Sequence, residues 1–139
     1  MAANLKTITI LFRAHNAIAN VIKDDVAKYG LNTTEFGTLE ALYHKGPLTV
    51  KEILEKVLIA NSSMSYVIET LVKKGYIQKQ CKKNDRRSFV VSLTKQGQKF
   101  MDEVYPIHET RLLDVLNRLT EEEKTQLQTL LKKIGKSTE

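Results

Sequence analysis

Two short runs of strand-forming residues interrupt a chain that is otherwise patterned as helix, and they constrain its fold most. The runs Tyr76–Cys81 and Ser88–Leu93 alternate or concentrate β-branched and aromatic side chains, as paired strands do. The polar segment Lys82–Arg87 between them predicts a turn. Elsewhere the apolar residues recur at steps of three and four. The sequence therefore predicts a mainly α fold with a small β-hairpin, an α+β class.

Six amphipathic helices are predicted around the hairpin from apolar spacing and cap signals. We expect them at about Leu5–Lys28, Asn32–Tyr43, Val50–Val57, Asn61–Lys74, Thr94–Leu116 and Thr120–Ile134. Glu35, Glu52 and Glu123 each stand three residues after a cap residue, as in capping boxes. Pro106 is expected to kink the fifth helix or to split it near Tyr105. Short helix, tight turn, longer helix and hairpin is the order of a winged helix-turn-helix.

The positive charge of the chain is concentrated at the hairpin. The segment Lys73–Arg87 holds seven Lys or Arg and one acid, a local net charge of +6 that equals the formal charge of the whole chain. The flanks, residues 1–72 and 88–139, carry as many acidic as basic residues. Such confinement favours a polyanionic partner, nucleic acid before membrane, although a solvated face is the plainer interpretation.

A length of 139 residues is that of one ordinary domain. Apolar stripes on the first, fifth and sixth helices have no sheet to cover them, so we expect a homodimer. A winged lobe is expected at about 32–94, and a helical dimerisation region at about 4–28 and 95–137. No apolar run is long enough for a bilayer, and a single Cys fits a reducing compartment, so a cytoplasmic location without membrane association is expected.

Enzymatic chemistry is not indicated. The chain has no GxSxG motif and no phosphate-binding glycine loop. Its histidines, His15, His44 and His108, lack a second ligand at i+3 or i+4, so no metal site is expected. We therefore expect neither catalysis nor a cofactor.

The hairpin and its surroundings carry a family resemblance. The chain resembles the MarR family of bacterial transcription regulators over essentially its whole length. The resemblance is carried by the segment Asp85-Arg86-Arg87 followed by Val91–Gly97, by the helix exit Leu71-x-x-x-Gly75-Tyr76-Ile77 and by the leucine-rich C-terminal helices. The stretch Thr34–Thr49, Cys81 and Tyr105–His108 are similar to the quinone- and catechol-responsive branch. Ala60 departs from the family, because many relatives have Ser or Thr there to cap the recognition helix.

The resemblance implies a homodimer in which the first, fifth and sixth helices pair across a two-fold axis. Each lobe would then carry one winged helix, and the partner would be double-stranded DNA with a pseudo-palindromic operator. The two-fold axis places the recognition helices of the two protomers in successive major grooves, about 34 Å apart.

Candidate DNA-binding residues lie on the fourth helix and the hairpin. The planar guanidinium groups of Arg86 and Arg87 suit a narrow minor groove or phosphate pairs, with Asp85 holding one arginine. The lysines of the hairpin suit phosphates, and amides and hydroxyls near a helix start suit base edges or backbone. These further candidates are Lys79, Lys82, Lys83, Asn61, Ser62, Ser65 and Tyr66. The alternatives are a solvated turn with a local ion pair and an ordinary capped surface helix.

Two sensing routes are open. Cys81 lies among lysines that favour the thiolate, which points to a redox or electrophile sensor, but on a strand it is equally an inert buried residue. Relatives bind aromatic effectors between the dimerisation helices and the winged lobe. Phe12, His15, Phe36, Tyr43 and Tyr105 are candidates to line such a crevice, with core packing as the alternative.

The sequence thus predicts a dimeric repressor that a small phenolic or quinone-like ligand, or modification of Cys81, releases from its operator. The alternative is a ligand- or protein-binding helical adaptor that retains the winged fold without specific DNA binding.

Overall fold

The computed structural model describes residues 2–58, 62–82 and 85–136, and the side chains of residues 5–58, 62–81 and 89–136. Nine elements follow one another along this part of the chain. They are α1 (Ala2–Ala27), α2 (Thr33–Lys45), β1 (Leu48–Thr49), α3 (Val50–Lys56), α4 (Met64–Lys73), β2 (Ile77–Lys82), β3 (Asp85–Leu93), α5 (Lys95–Leu116) and α6 (Glu121–Lys136). The predicted fold class, mainly α with a small β wing, is confirmed.

Helix ends follow the local cap signals. The Asn32 side chain accepts a hydrogen bond from the Glu35 backbone, and the Glu35 carboxylate accepts one from the Asn32 backbone, both at 2.8 Å. The same reciprocal arrangement starts α3 and α6. Gly30, with φ of 73°, provides the left-handed conformation at which the chain leaves α1. The capping boxes predicted from the sequence are confirmed.

The sheet has one strand more than the predicted hairpin. The strand order is β1-β3-β2, and all pairs are antiparallel. Leu48 pairs with Val91 and Thr49 with Val90. Two residues are too few to show a strand periodicity, so pattern reasoning missed β1.

The predicted turn Lys82–Arg87 is too long. Lys82 is the last residue of β2 and pairs with Asp85, the first residue of β3. The register shifts between Cys81, which pairs with Phe89, and Lys82. Charged residues are weak strand formers in isolation, but backbone pairing with a neighbouring strand overrides that preference.

Two helix predictions are also wrong in detail. The fourth helix begins at Met64 rather than Asn61, because Ser63 takes the N-cap position with φ −59° and ψ 129°. Asn61 lies outside the described residues, and Ser62 precedes the helix. The fifth helix is not split near Tyr105 but runs unbroken through Pro106, and a kink there stays a prediction. Buried side chains before and after Pro106 on one stripe keep this helix on the core, and their packing outweighs the lost hydrogen bond.

The hydrophobic core lies between the end of α1, the helices α2 to α4, the sheet and the first half of α5. Its largest fully buried side chains are Phe36, Leu39, Ile53, Leu71, Ile77 and Met101. The residues described in α6 are all exposed except the half-buried Lys124. Winged-helix elements and α5 thus share one core, while α6 lies outside it.

Candidate nucleic-acid interface and effector cleft

The helix α4 has one buried and one exposed face. Its apolar residues Met64, Val67, Ile68 and Leu71 are buried. The opposite face presents Ser65, Tyr66, Glu69 and Lys73 to solvent. Tyr66 is 68% exposed, so a large aromatic ring stands free of the core. The predicted DNA-facing residues Ser65 and Tyr66 therefore share an open surface, and Ser62 lies half-buried just before the helix.

An acidic residue sits in the centre of this exposed face. The Nζ of Lys79, on β2, lies 3.0 Å from Oε1 of Glu69. The same Nζ lies 5.2 Å from the ring centre of Phe89 on β3. The hydrogen bond and the positive charge of Lys79 hold the pKa of Glu69 below its usual value. Lys79 thus contacts both α4 and β3.

The wing stands beside α4, but several of its predicted contacts lie beyond the described side chains. Lys82 ends β2, and Asp85, Arg86 and Arg87 begin β3, so the backbone places them at the distal end of the hairpin. Lys83 lies outside the described residues. Their contacts with DNA stay predictions.

Several hydrogen bonds fix the far end of α4 to the rest of the fold. The Nζ of Lys74 donates a hydrogen bond to the Gly30 carbonyl oxygen at 2.9 Å and lies 3.7 Å from Oε2 of Glu35. Thr94 donates to the Gly75 carbonyl at 2.6 Å. Gly97 passes so close to the Tyr76 backbone that a Cβ there would collide with it. The C-terminal end of α4 and the base of the wing are therefore attached to α2 and α5.

Cys81 is exposed on β2 and pairs with Phe89 across the hairpin. The alternative that it is a small buried hydrophobic residue is wrong. The physical reason is that β2 is an edge strand, and this position lies near its distal end, beyond the core. Its reactivity stays a prediction.

A cleft of about 230 Å³ opens between α1 and α5 on one side and α2 and α3 on the other. Its lining is mostly apolar and includes two imidazoles and a few charged side chains. It comprises Ile22, Thr33, Phe36, Gly37, Glu40, Ala41, His44, Lys45, Lys56, Val57, Leu58, His108 and Leu112. Among the predicted effector residues, Phe36 lines this cleft.

Tyr43 and Tyr105 lie beside the cleft without lining it. The Tyr105 ring meets the His44 ring edge-on at 4.7 Å and the Tyr43 ring at 5.6 Å. Tyr43 donates a 2.8 Å hydrogen bond to Asp102, which raises the pKa of Tyr43. Partial burial raises the pKa of Tyr105. The two tyrosines therefore connect α2 to α5 next to the cleft.

Phe12 and His15 lie elsewhere. Both are exposed near the middle of α1, and Phe12 is 63% exposed. The structure therefore brings three of the five predicted effector residues together and leaves these two on a separate surface.

A buried polar cluster at the cleft wall escaped sequence reasoning. His108 Nδ1 lies 2.8 Å from Asp25 Oδ2, and both side chains are almost fully buried. Arg111 Nε lies 3.0 Å from Asp25 Oδ1 without hydrogen-bond geometry, so that oxygen is paired by charge alone. The His108 ring also contacts the Phe36 ring at 4.5 Å. Because Asp25 and His108 are 83 positions apart, no local spacing could have revealed them.

The helices α1, α5 and α6 expose large apolar side chains. They include Leu5, Ile8, Leu11, Phe12, Ile107, Leu113, Leu116, Leu127, Leu130 and Ile134. In the part of the chain that the structure describes, no helix is long and apolar enough to cross a membrane. In that same part, no three His, Cys, Asp or Glu side chains are grouped to hold a metal ion.

The fold, with an exposed helix beside a hairpin, is of the winged helix-turn-helix class. A model of the MarR family matches residues 31–89, and the chain belongs to that family. This membership also confirms that the chain is a regulator rather than an enzyme.

One relative and two solved structures show the extent of the likeness. The transcriptional regulator MhqR of Bacillus subtilis is 33% identical over 132 residues, which cover 95% of this chain and 91% of the relative. This match supports the branch suggested by the sequence. The structure of Bordetella bronchiseptica BpsR, whose DNA binding is regulated by 6-hydroxynicotinic acid, has a TM-score of 0.81 at 22% identity and covers 94% of this chain and 98% of its own. The structure of the Staphylococcus aureus MepR–DNA complex has a TM-score of 0.79 at 22% identity and covers 93% of this chain and 96% of its own.

Proposed function

We propose that the protein is a homodimeric, sequence-specific repressor that binds a pseudo-palindromic operator and leaves it when a small phenolic or quinone-like effector binds. The observation that carries this proposal is the exposed polar face of α4 beside a hairpin that, together with Lys73 and Lys74 at the end of α4, holds the excess positive charge of the chain. Family membership supports DNA as the partner. MepR, a protein of the same fold, has been solved bound to DNA.

On DNA, α4 would enter the major groove with Ser65 and Tyr66 toward base edges or backbone. Asn61 and Ser62, just before the helix, would meet the adjoining backbone. The basic side chains of the hairpin segment would neutralise phosphates, and the two arginines among them would reach the minor groove, with Asp85 orienting one of them. This group comprises Lys79, Lys82, Lys83, Arg86 and Arg87.

Dimerisation through α1, α5 and α6 is supported by their exposed apolar side chains. A second copy of the chain that covers these helices would remove a large apolar surface from water, including the side chains of Ile8, Phe12, Leu116 and Leu130. Residues of about 4–28 and 95–137 would then form the dimerisation region, and residues of about 32–94 the DNA-binding lobe. A cytoplasmic location follows from this role.

The effector is proposed to occupy the cleft between α1, α2, α3 and α5. A cavity of about 150 Å³ is sufficient for benzene, so about 230 Å³ suits one substituted aromatic ring. Phe36 offers an aromatic wall, and His44 and His108 offer polar groups. A ligand between the lobe and the dimerisation helices changes DNA affinity only if it binds one lobe arrangement better than the other.

Modification of Cys81 is a second route of release. The thiol is exposed on the wing, where an added group would stand near the DNA. Cys81 is not among the residues that line the cleft, so the two routes are separable by mutation.

The test is a mobility-shift and footprinting assay on DNA upstream of the gene of the protein, with and without simple phenols. The double variant Arg86→Ala, Arg87→Ala should weaken operator binding and lower the salt slope by about two. Replacement of Lys132 and Lys133 on exposed α6 with Ala is the matched control, because it also removes two charges. Unchanged affinity and slope in the wing variant would refute the wing assignment. Weak binding without sequence preference would instead indicate a helical adaptor.

A further inference from the structure

Glu69 is an unusual residue for the surface on which it lies. It is the only acid between Glu55 and Asp85, a stretch that is otherwise neutral or basic. On α4 it is four residues after Ser65 and three after Tyr66, so the three side chains share one face. A carboxylate at this place repels phosphates and lowers non-specific affinity for DNA. Its presence therefore requires a compensating role.

The folded state offers little reason for this acid. Its partner Lys79 is about one-third exposed, and Glu69 is more than half exposed. Exposed ion pairs of this kind contribute little to stability, because water screens them and both side chains lose freedom. The ion pair does, however, hold the carboxylate in one place, since Lys79 is itself held against the Phe89 ring.

The ionised carboxylate has a narrow choice of partners in a major groove. It only accepts hydrogen bonds, and the groove offers donors at the N4 amino group of cytosine and the N6 amino group of adenine. Adenine carries the N7 acceptor beside its donor, whereas cytosine presents no acceptor on its own edge. Glutamate accordingly pairs with cytosine among the bases.

From this geometry we infer that Glu69 is a specificity-determining residue that selects a cytosine in each operator half-site. Lys79 is its positioning residue. An ammonium has three donors, so Lys79 can hold Glu69 with one and meet a phosphate with another. The inference rests on the proposed DNA-binding function and adds a base that the recognition helix reads.

Selection from a randomised duplex library tests this role, with the full-length wild type and Glu69→Gln as the main pair. The wild type should prefer C·G at one position of each half-site by about tenfold, the discrimination expected of one base contact. Glu69→Gln should shift that position toward A·T, because a carboxamide pairs with both N6 and N7 of adenine. Lys79→Met should weaken the cytosine preference without installing another base.

The matched control is Glu121→Gln on α6. Glu121 is also an exposed glutamate paired with a lysine, Lys124, at 2.7 Å, and its replacement should leave the selected motif unchanged. A motif that is identical for wild type and Glu69→Gln at every position overturns the inference but not the proposed function. Failure of the wild type to select any motif overturns both.

Discussion

The pair of Asp25 and His108 should stabilise the fold strongly although neither residue belongs to the apolar core. The perturbation is Asp25→Ala, which removes the only hydrogen-bond acceptor that the described residues offer to His108 Nδ1. Both side chains are 2–3% exposed, so water cannot replace the lost partner. Within the fold this bond joins the end of α1 to the middle of α5.

The expected cost follows from these contacts. A hydrogen bond to a charged group is worth about 1.5–3 kcal/mol, and loss of one partner of a buried pair costs about 3–5 kcal/mol. Arg111 is 51% exposed, so its ion pair with Asp25 adds at most about 1 kcal/mol after screening. We expect Asp25→Ala to lower the free energy of unfolding by about 3 kcal/mol and Tm by roughly 10 °C.

Denaturant and thermal unfolding at one fixed protomer concentration measure this loss, because the stability of a dimer depends on concentration. The control is Asp24→Ala, which removes a neighbouring, exposed carboxylate. The double variant Asp25→Leu, His108→Phe should recover most of the stability, since neither residue then leaves a buried polar group unpaired. An Asp25→Ala variant as stable as Asp24→Ala would refute the reasoning.

Three further predictions concern pH, packing and the thiol. Tyr43 and Tyr105 have folded-state pKa values raised above 10.0, so the unfolded chain loses these protons first and the stability should fall as pH rises beyond 10. In denaturant titrations at several pH values, the double variant Tyr43→Phe, Tyr105→Phe should lose less stability over this range, and an unchanged dependence of stability on pH would contradict the prediction. Gly97→Ala should cost about 1–3 kcal/mol in the same unfolding assay because its Cβ meets the Tyr76 backbone, whereas Gly135→Ala, with open space around it, should cost nothing. In mobility-shift assays Cys81→Ser should abolish release by thiol-alkylating agents and keep release by phenols that cannot alkylate; release of Cys81→Ser by the alkylating agents would exclude the thiol route.

Local chemistry explains which parts of the fold could be predicted. The cap at Asn32 depends on neighbours within a few residues, and the prediction there was correct. The strand Leu48–Thr49 exists only because β3 lies beside it, and α5 continues through Pro106 only because its buried stripe packs on the core. These outcomes depend on residues far away in sequence.

The same division applies to the candidate sites. Strand-forming runs located the hairpin and charge confinement marked it as a candidate contact for a polyanion, and the exposed face of α4 contains Ser65 and Tyr66 as expected. The contact of His108 with Asp25 at the cleft wall and the hydrogen bond from Tyr43 to Asp102 join helices that are distant in the chain. Periodicity reports which face of a helix is apolar, but it does not report which two helices meet.

The pairing of β3 on two edges gives the wing a gradient of backbone protection. Val90 and Val91 have strand neighbours on both sides, β1 and β2, whereas Phe89 pairs only with β2, next to the register break at Lys82. Amide hydrogen exchange should therefore be slowest near Val91 and faster toward Asp85, because fewer ladder bonds must open there. A wing that is rigid at its root and more yielding at its end can follow a groove whose width changes with sequence, while α4 stays fixed.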